Sequence, residues 1–205
     1  MQEELDTLHA NNTWNVVPLP EGRNVVGSKW VFKVKCDANG NIAGYKARLV
    51  AQGFLQQPGT DFDEIFAPII CYDSLRLLLA LASHHWWRPQ QLDIKGAFLY
   101  SILKEEIYMQ LPEGYSYSSR QNSMYAKLNR CIYGLKQSPR KWYHKLLSVW
   151  VPYGFTISTF NPYILIHKLM QFFLAVYVDD ITLWGSCNGS QAMTMGVCSR
   201  ERSRL

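Results

Sequence analysis

The sequence predicts an α+β domain, and three observations carry that prediction. Residues 25–51 alternate apolar and charged side chains on both sides of an Asn39-Gly40 dipeptide, the pattern of a β-hairpin. Residues 172–184 form two short apolar runs that meet at two adjacent aspartates, again strand, turn and strand. Between these pieces, residues 75–82 and 138–150 carry apolar side chains at helical spacing. Hairpins mixed with separate helices favour α+β over a parallel α/β arrangement.

The elements follow in chain order. Gln2 to Leu8 reads as a short helix. In the first hairpin strand, Trp30, Phe32 and Val34 fall on one face and Lys29, Lys33 and Lys35 on the other, because strand side chains alternate. The returning strand, residues 42–51, puts Lys46 and Arg48 on a common face. Asp73 or Ser74 is placed to cap the helix through Ala82. After the Trp86-Trp87-Arg88-Pro89 break, Gln91 to Phe98 reads as a strand. Ser138-Pro139 opens a helix with the hydroxyl at the N-cap and proline at the first helical position. Its expected buried stripe is Trp142, Leu146, Val149 and Trp150. Asn161-Pro162 is a turn. Residues 186–205 are polar and free of aromatics, carry Arg200, Arg202 and Arg204, and are expected to be disordered.

Composition excludes several classes. With 48% apolar and 14% aromatic residues over 205 positions, the chain is not an intrinsically disordered protein, and it is long enough to bury a core without disulfides. Five scattered cysteines, with no C-x-x-C pair, argue against a zinc site and a secreted disulfide framework and point to a reducing interior. The start is acidic and has no signal-peptide pattern. Pro152, Gly154 and Pro162 interrupt the longest uncharged stretch, and Leu169 to Val178 is far short of the roughly 20 apolar residues a membrane span needs. No membrane partner is expected. The formal charge is +5, of which the tail supplies a good part, so total basicity points only faintly to nucleic acid. The distribution says more: no acidic residue lies between Glu113 and Asp179, a span that holds Arg120, Lys127, Arg130, Lys136, Arg140, Lys141, Lys145 and Lys168.

Two aspartates close that span. Asp179 and Asp180 sit between apolar strands where Asn-Gly or Asp-Gly would make the easier turn. Like charges held side by side against apolar walls repel, and a divalent cation relieves the conflict because hard oxygen ligands suit Mg²⁺. An isolated Asp-Asp is most often an exposed acidic turn, so the pair needs support from elsewhere. Asp93, alone in the apolar run Leu92-Asp-Ile, is a second candidate, unless it merely ends a strand or pairs with Lys95. If these strand ends converge, they form a two-metal site of the kind that stabilises both oxygens of an in-line phosphoryl displacement.

In combination these segments resemble a known family. Tyr177-Val-Asp-Asp180, with Leu92-Asp-Ile-Lys95 upstream and Tyr133-Gly-Leu-Lys-Gln-Ser-Pro139 between, is similar to the reverse transcriptase of Ty1/copia-type LTR retrotransposon Pol polyproteins. So are Gly27-Ser-Lys-Trp-Val-Phe-Lys-Val34, Tyr45-Lys-Ala-Arg-Leu-Val-Ala-Gln-Gly-Phe54 and Glu106-Ile-Tyr-Met109, and the likeness runs from Met1 to about Gly185.

The resemblance implies an α+β fingers–palm core, truncated and without a thumb, with an antiparallel palm sheet and packed helices. Fingers are expected over 1–68 and 101–137, palm over 69–100 and 138–185. It implies that Asp93, Asp179 and Asp180 hold two Mg²⁺ ions, or Mn²⁺ in their place. Lys46 and Arg48 would grip the triphosphate, Phe98 would exclude a ribose 2′-hydroxyl, and Gly134 would let the backbone approach the nucleotide. Lys136, Gln137, Ser138 and Tyr177 would meet the nucleic acid. Implied partners are an RNA or DNA template with its primer and deoxynucleoside triphosphates, held largely through phosphates and therefore sensitive to salt. For an intact parent element the resemblance implies an intracellular setting, in cytoplasmic virus-like particles and the nucleus.

There are departures. Tyr100-Ser-Ile-Leu103 replaces a polar, glycine-containing turn, Gly96 stands where a polar or β-branched residue is usual, and Asn161 precedes Pro162 where aspartate is common. RNase H, integrase and the thumb lie outside the sequence, which reads as a fragment cut at both ends with an aberrant tail. Two rivals stand beside the polymerase reading: a two-metal nuclease using the same carboxylates, and an inert relic or passive nucleic-acid binder.

Overall fold

A computed structural model describes residues 1–65, 70–115, 124–169 and 171–185; the expectation for residues 186–205 lies outside them. In chain order the first elements are α1 (Gln2–Ala10), β1 (Trp14–Pro18), β2 (Val25–Val26), β3 (Ser28–Cys36), β4 (Ile42–Ala51), α2 (Tyr72–His84) and β5 (Gln90–Asp93). There follow β6 (Tyr108–Gln110), β7 (Met124–Leu128), α3 (Ser138–Trp150), β8 (Thr156–Ile157), β9 (Ile164–His167), β10 (Phe172–Tyr177) and β11 (Asp180–Gly185). The chain divides into two units, Met1–Phe66 with Phe98–Trp142, and Ala67–Ala97 with Tyr143–Leu205. Mixed helices and sheets give the α+β class the sequence predicts. No helix among the described residues is long and apolar enough to cross a membrane.

The first unit holds a four-stranded sheet in the order β1-β7-β6-β2, antiparallel except between β2 and β6. Val26, Ile107, Met109, Ala126 and Leu128 are buried there. The β3–β4 hairpin stands as a separate two-stranded sheet. The sequence reads residues 25–35 as one strand, but the structure interrupts it at Gly27, where a Cβ would overlap the Gln52 side chain. Alternation holds in β3, yet its apolar face is covered only at one end: Leu49, opposite Trp30, is buried, whereas Phe32 is 65% exposed and Tyr45 on β4 is 80% exposed. A period of two shows which residues share a face and says nothing about whether another layer covers it.

The second unit is a five-stranded antiparallel sheet in the order β5-β11-β10-β9-β8, with Leu165, Leu174, Val176, Ile181 and Trp184 buried. Helix α2 begins before the apolar run, at Tyr72, and its exposed first turn leaves no periodic mark in the sequence. Neither expected cap is used. Asp73 pairs with Arg76 across one turn, and the Ser74 hydroxyl accepts a hydrogen bond from Asn161 Nδ2 at 3.2 Å. Asn161 also accepts the Tyr163 N–H at 2.9 Å, so the Asn161-Pro162 turn is closed by its own side chain.

Helix α3 starts at Ser138 as expected, but not through the expected cap. The hydroxyl of fully buried Ser138 donates to the Ile132 carbonyl at 2.7 Å, tying the preceding turn to the helix start. Trp142, Leu146 and Trp150 are buried along α3, with Tyr143 in place of half-exposed Val149.

Candidate active site

The candidate residues fall into two groups, one within each unit, and each group is built locally. In the second unit, the strand expected over residues 91–98 stops at Asp93. Gly96 then turns the chain at φ 66°, a left-handed conformation that glycine adopts without a Cβ penalty, and residues 97–100 form a single 3₁₀ turn. This accounts for glycine at a position where the family resemblance expects another residue. Asp93 is thereby left, exposed, as the last residue of an edge strand.

The aspartate pair is divided by its turn. The sequence places Asp179 and Asp180 together between the strands, whereas the connection is Val178-Asp179, and Asp180 is the first residue of β11. Val178 takes φ 54°, which a β-branched side chain resists; such strain costs about 1–3 kcal/mol and gathers at functional sites.

Strand pairing brings the acids together. Asp93 on β5 is the register partner of Asp180 on β11. The Ile94 N–H donates to the Asp179 carbonyl at 3.0 Å. Pair 94–179 is thus the hydrogen-bonded kind, and the next pair, 93–180, is the closer kind, with Cα atoms about 4.5 Å apart and side chains on one face. Asp180 also accepts a long hydrogen bond from Gln91 Nε2 at 3.4 Å.

Among the described residues, no group of three or more His, Cys, Asp or Glu side chains is placed to hold a metal ion, Asp93, Asp179 and Asp180 included. The donor chemistry still fits Mg²⁺, which takes one or two carboxylates per site and completes its shell with water and substrate phosphates.

In the first unit, Lys46 and Arg48 share a face of β4, and Lys33 stands directly across from Lys46. Like charges placed opposite each other are unfavourable unless an anion joins them. Glu4 on α1 accepts the Leu49 N–H at 3.3 Å; burial pushes its carboxyl up, opposed by that bond and by Arg48 and Lys46 nearby. The Arg48 guanidinium lies 4.8 Å from the centre of the Tyr133 ring, and Phe98 meets the same ring edge-on at 4.8 Å. Phe98 is buried, at 5% exposure.

Gly134 is exposed at φ 93°, and a Cβ on it would overlap the Ala51 carbonyl and Val50. Lys136 is half-buried and sets its ammonium 4.6 Å from the centre of the Phe62 ring. Gln137 and Ser138, expected to meet nucleic acid, are buried with their polar atoms bonded inside the unit. Tyr177, at the end of β10, is exposed.

No sequence motif assigns a role to Tyr133, Glu4 or Gln56 individually. Tyr133 opens the Tyr133–Pro139 motif. Nothing local distinguishes Glu4 or Gln56, whose partners are distant in the chain.

Comparison with known proteins shows the family. Residues 11–194 match the family described as reverse transcriptase (RNA-dependent DNA polymerase). The chain is 40% identical over 204 residues, 98% of its length, to the "Retrovirus-related Pol polyprotein from transposon TNT 1-94" of Nicotiana tabacum. It is 38% identical over 189 residues, 91% of its length, to the corresponding Pol polyproteins of transposons RE1 and RE2 of Arabidopsis thaliana. It spans only 15% of the tobacco relative and 13% of each Arabidopsis one. The chain belongs to the reverse transcriptase family, in the form carried by the Pol polyproteins of copia-type retrotransposons.

Proposed function

We propose that this chain is the nucleotidyl-transfer portion of an RNA-directed DNA polymerase, adding deoxynucleotides to a primer 3′-end on an RNA or DNA template. The observation that supports it most is the register of Asp93 against Asp180, with Asp179 one residue away in the turn. Reverse transcriptases use divalent metal ions, and in this reading Asp93, Asp179 and Asp180 hold two Mg²⁺ or Mn²⁺ ions. Bound there, the metals supply Lewis acidity toward the primer hydroxyl and charge neutralisation toward the triphosphate.

The remaining work falls to the chain's own groups. Lys46 and Arg48 bind the triphosphate oxygens, and the repulsion between Lys33 and Lys46 favours an anion on that face. Phe98, braced by Tyr133, excludes a ribose 2′-hydroxyl. Exposed Gly134 gives the template–nucleotide pair close access to backbone, Lys136 meets phosphate, and Tyr177 meets the primer end. Gln137 and Ser138 serve by holding the turn rather than by touching nucleic acid. The expected fingers and palm divisions belong to this proposal too, with Lys46 and Arg48 in the fingers and the three aspartates in the palm.

One observation favours a second reading, passive nucleic-acid binding: the hairpin exposes Phe32 and Tyr45 on one face, rings on which bases can stack. A labelled primer annealed to RNA, incubated with deoxynucleotides and Mg²⁺, separates the readings. Extension by at least one nucleotide that stops with a chelator is expected. Template degradation without extension supports a nuclease instead, and binding with neither reaction supports the passive role.

A further inference from the structure

The Tyr133–Ser138 turn is fastened by a buried polar clasp. Gln56 and Gln137 are 3% and 1% exposed, deep enough that every amide atom needs a partner. The Lys136 N–H donates to Gln56 Oε1 at 2.8 Å, which makes that atom the acceptor. Gln56 Nε2 therefore donates, and it reaches Gln137 Oε1 at 3.0 Å. Gln137 Nε2 then donates to the Asp61 carbonyl at 2.9 Å. Each bond sets the orientation of the next, so neither amide can flip without stranding a buried group. The Asp61 carboxylate in turn accepts the Gln57 N–H at 2.8 Å and Asn24 Nδ2 at 3.1 Å, anchoring the far end.

The same turn lies against the end of β4. The Ala51 N–H donates to the Tyr133 carbonyl at 2.8 Å. A Cβ on Gly53 would overlap the Gly134 carbonyl, and a Cβ on Gly134 would overlap the Ala51 carbonyl, so backbone meets backbone. Tyr133, at the head of this turn, is the ring that both Arg48 and Phe98 contact.

We propose that Gln56 and Gln137 are positioning residues: their amide clasp holds the turn on β4 so that Tyr133 keeps Arg48 and Phe98 set for the incoming nucleotide. This rests on the polymerase reading and adds to it two residues that touch neither nucleotide nor metal. Methionine has nearly the volume of glutamine and none of its hydrogen bonds, so Gln56→Met and Gln137→Met release the clasp with little loss of packing. Because both act through one clasp, the double variant costs little more than either single one.

The test is single-nucleotide incorporation by the full chain, with KM and kcat measured separately, together with amide hydrogen exchange at Ala51 and Lys136. The expected result is KM for the deoxynucleotide raised about tenfold in each single variant and no further in the double, a kcat within about twofold, and faster exchange at both amides. Incorporation by the unsubstituted chain that neither substitution alters overturns this inference alone. KM effects that multiply in the double variant, or losses that only follow the folded fraction, also overturn it. No incorporation by the unsubstituted chain overturns the polymerase reading and this inference with it.

Discussion

Asp93 and Asp180 face each other across two antiparallel strands, on a pair that lies next to the Ile94–Asp179 backbone hydrogen bond. Two carboxylates directly opposed weaken a sheet by about 0.2–1 kcal/mol relative to a neutral pair. Asp180→Asn therefore raises stability in metal-free buffer by up to about 1 kcal/mol while abolishing nucleotide incorporation. Urea unfolding in the presence of a chelator reads the first effect. A destabilisation of similar size would mean that the two acids are not opposed as described.

Val178 carries the backbone strain of the turn that holds Asp179. Val178→Gly removes strain of about 1–3 kcal/mol and adds about 0.5–1 kcal/mol of chain entropy, so a net gain of about 1 kcal/mol is expected. Incorporation falls as the carboxylate loses its fixed placement. Thermal melts and single-turnover rates measured on one preparation check the trade, and a variant that is both less stable and fully active would contradict it.

Gly134 combines φ 93° with backbone contact to Ala51. Gly134→Ala adds left-handed strain and steric overlap together, and a cost of about 3 kcal/mol is expected from urea midpoints. Gly40→Ala is the control: its φ is 85° but nothing lies within 4 Å of a Cβ there, so only the conformational part, about 1–2 kcal/mol, is expected.

Burial pushes the Cys131 thiol up to about 12 from an ordinary value near 9, and the Tyr163 hydroxyl up to about 12 from 10. Both are acids kept neutral by the fold, so over this interval the unfolded chain holds fewer protons than the native one. Their contribution is complete below about pH 9 and is lost as pH rises toward about 12, with Cys131 alone contributing a slope of about 1.4 kcal/mol per pH unit at most. Urea midpoints at pH 8 and pH 10 should show the fall, and Cys131→Ala should flatten it. At pH 8 an alkylating reagent should label exposed Cys36 and Cys71 and spare Cys131 until the chain unfolds.

Much of this was legible in the sequence wherever the signal was local. The Asn39-Gly40 hairpin, the apolar stripe of α3 and the strand–turn–strand around the aspartates are each written within about a dozen residues. Features set by distant partners were not legible. Ser138 looked like a cap because its neighbours suited one, but its hydroxyl goes to Ile132, on the other side of the turn. Gln137 looked like a solvent-facing contact residue, and only the positions of Gln56 and Asp61 show it to be interior. The Asp179–Asp180 pair was visible as two charges between strands. Its division between turn and strand depends on a valine accepting positive φ, which propensity argues against.

Divalent-metal binding tests the central claim most directly. Mn²⁺ titrated into the full chain with primer–template and a deoxynucleoside triphosphate, followed by electron paramagnetic resonance, counts bound ions without requiring turnover. Protein-dependent Mn²⁺ binding beyond that of the nucleotide and duplex alone is expected, lost in Asp93→Asn and in Asp179→Asn. Binding that persists unchanged in both variants would contradict that claim.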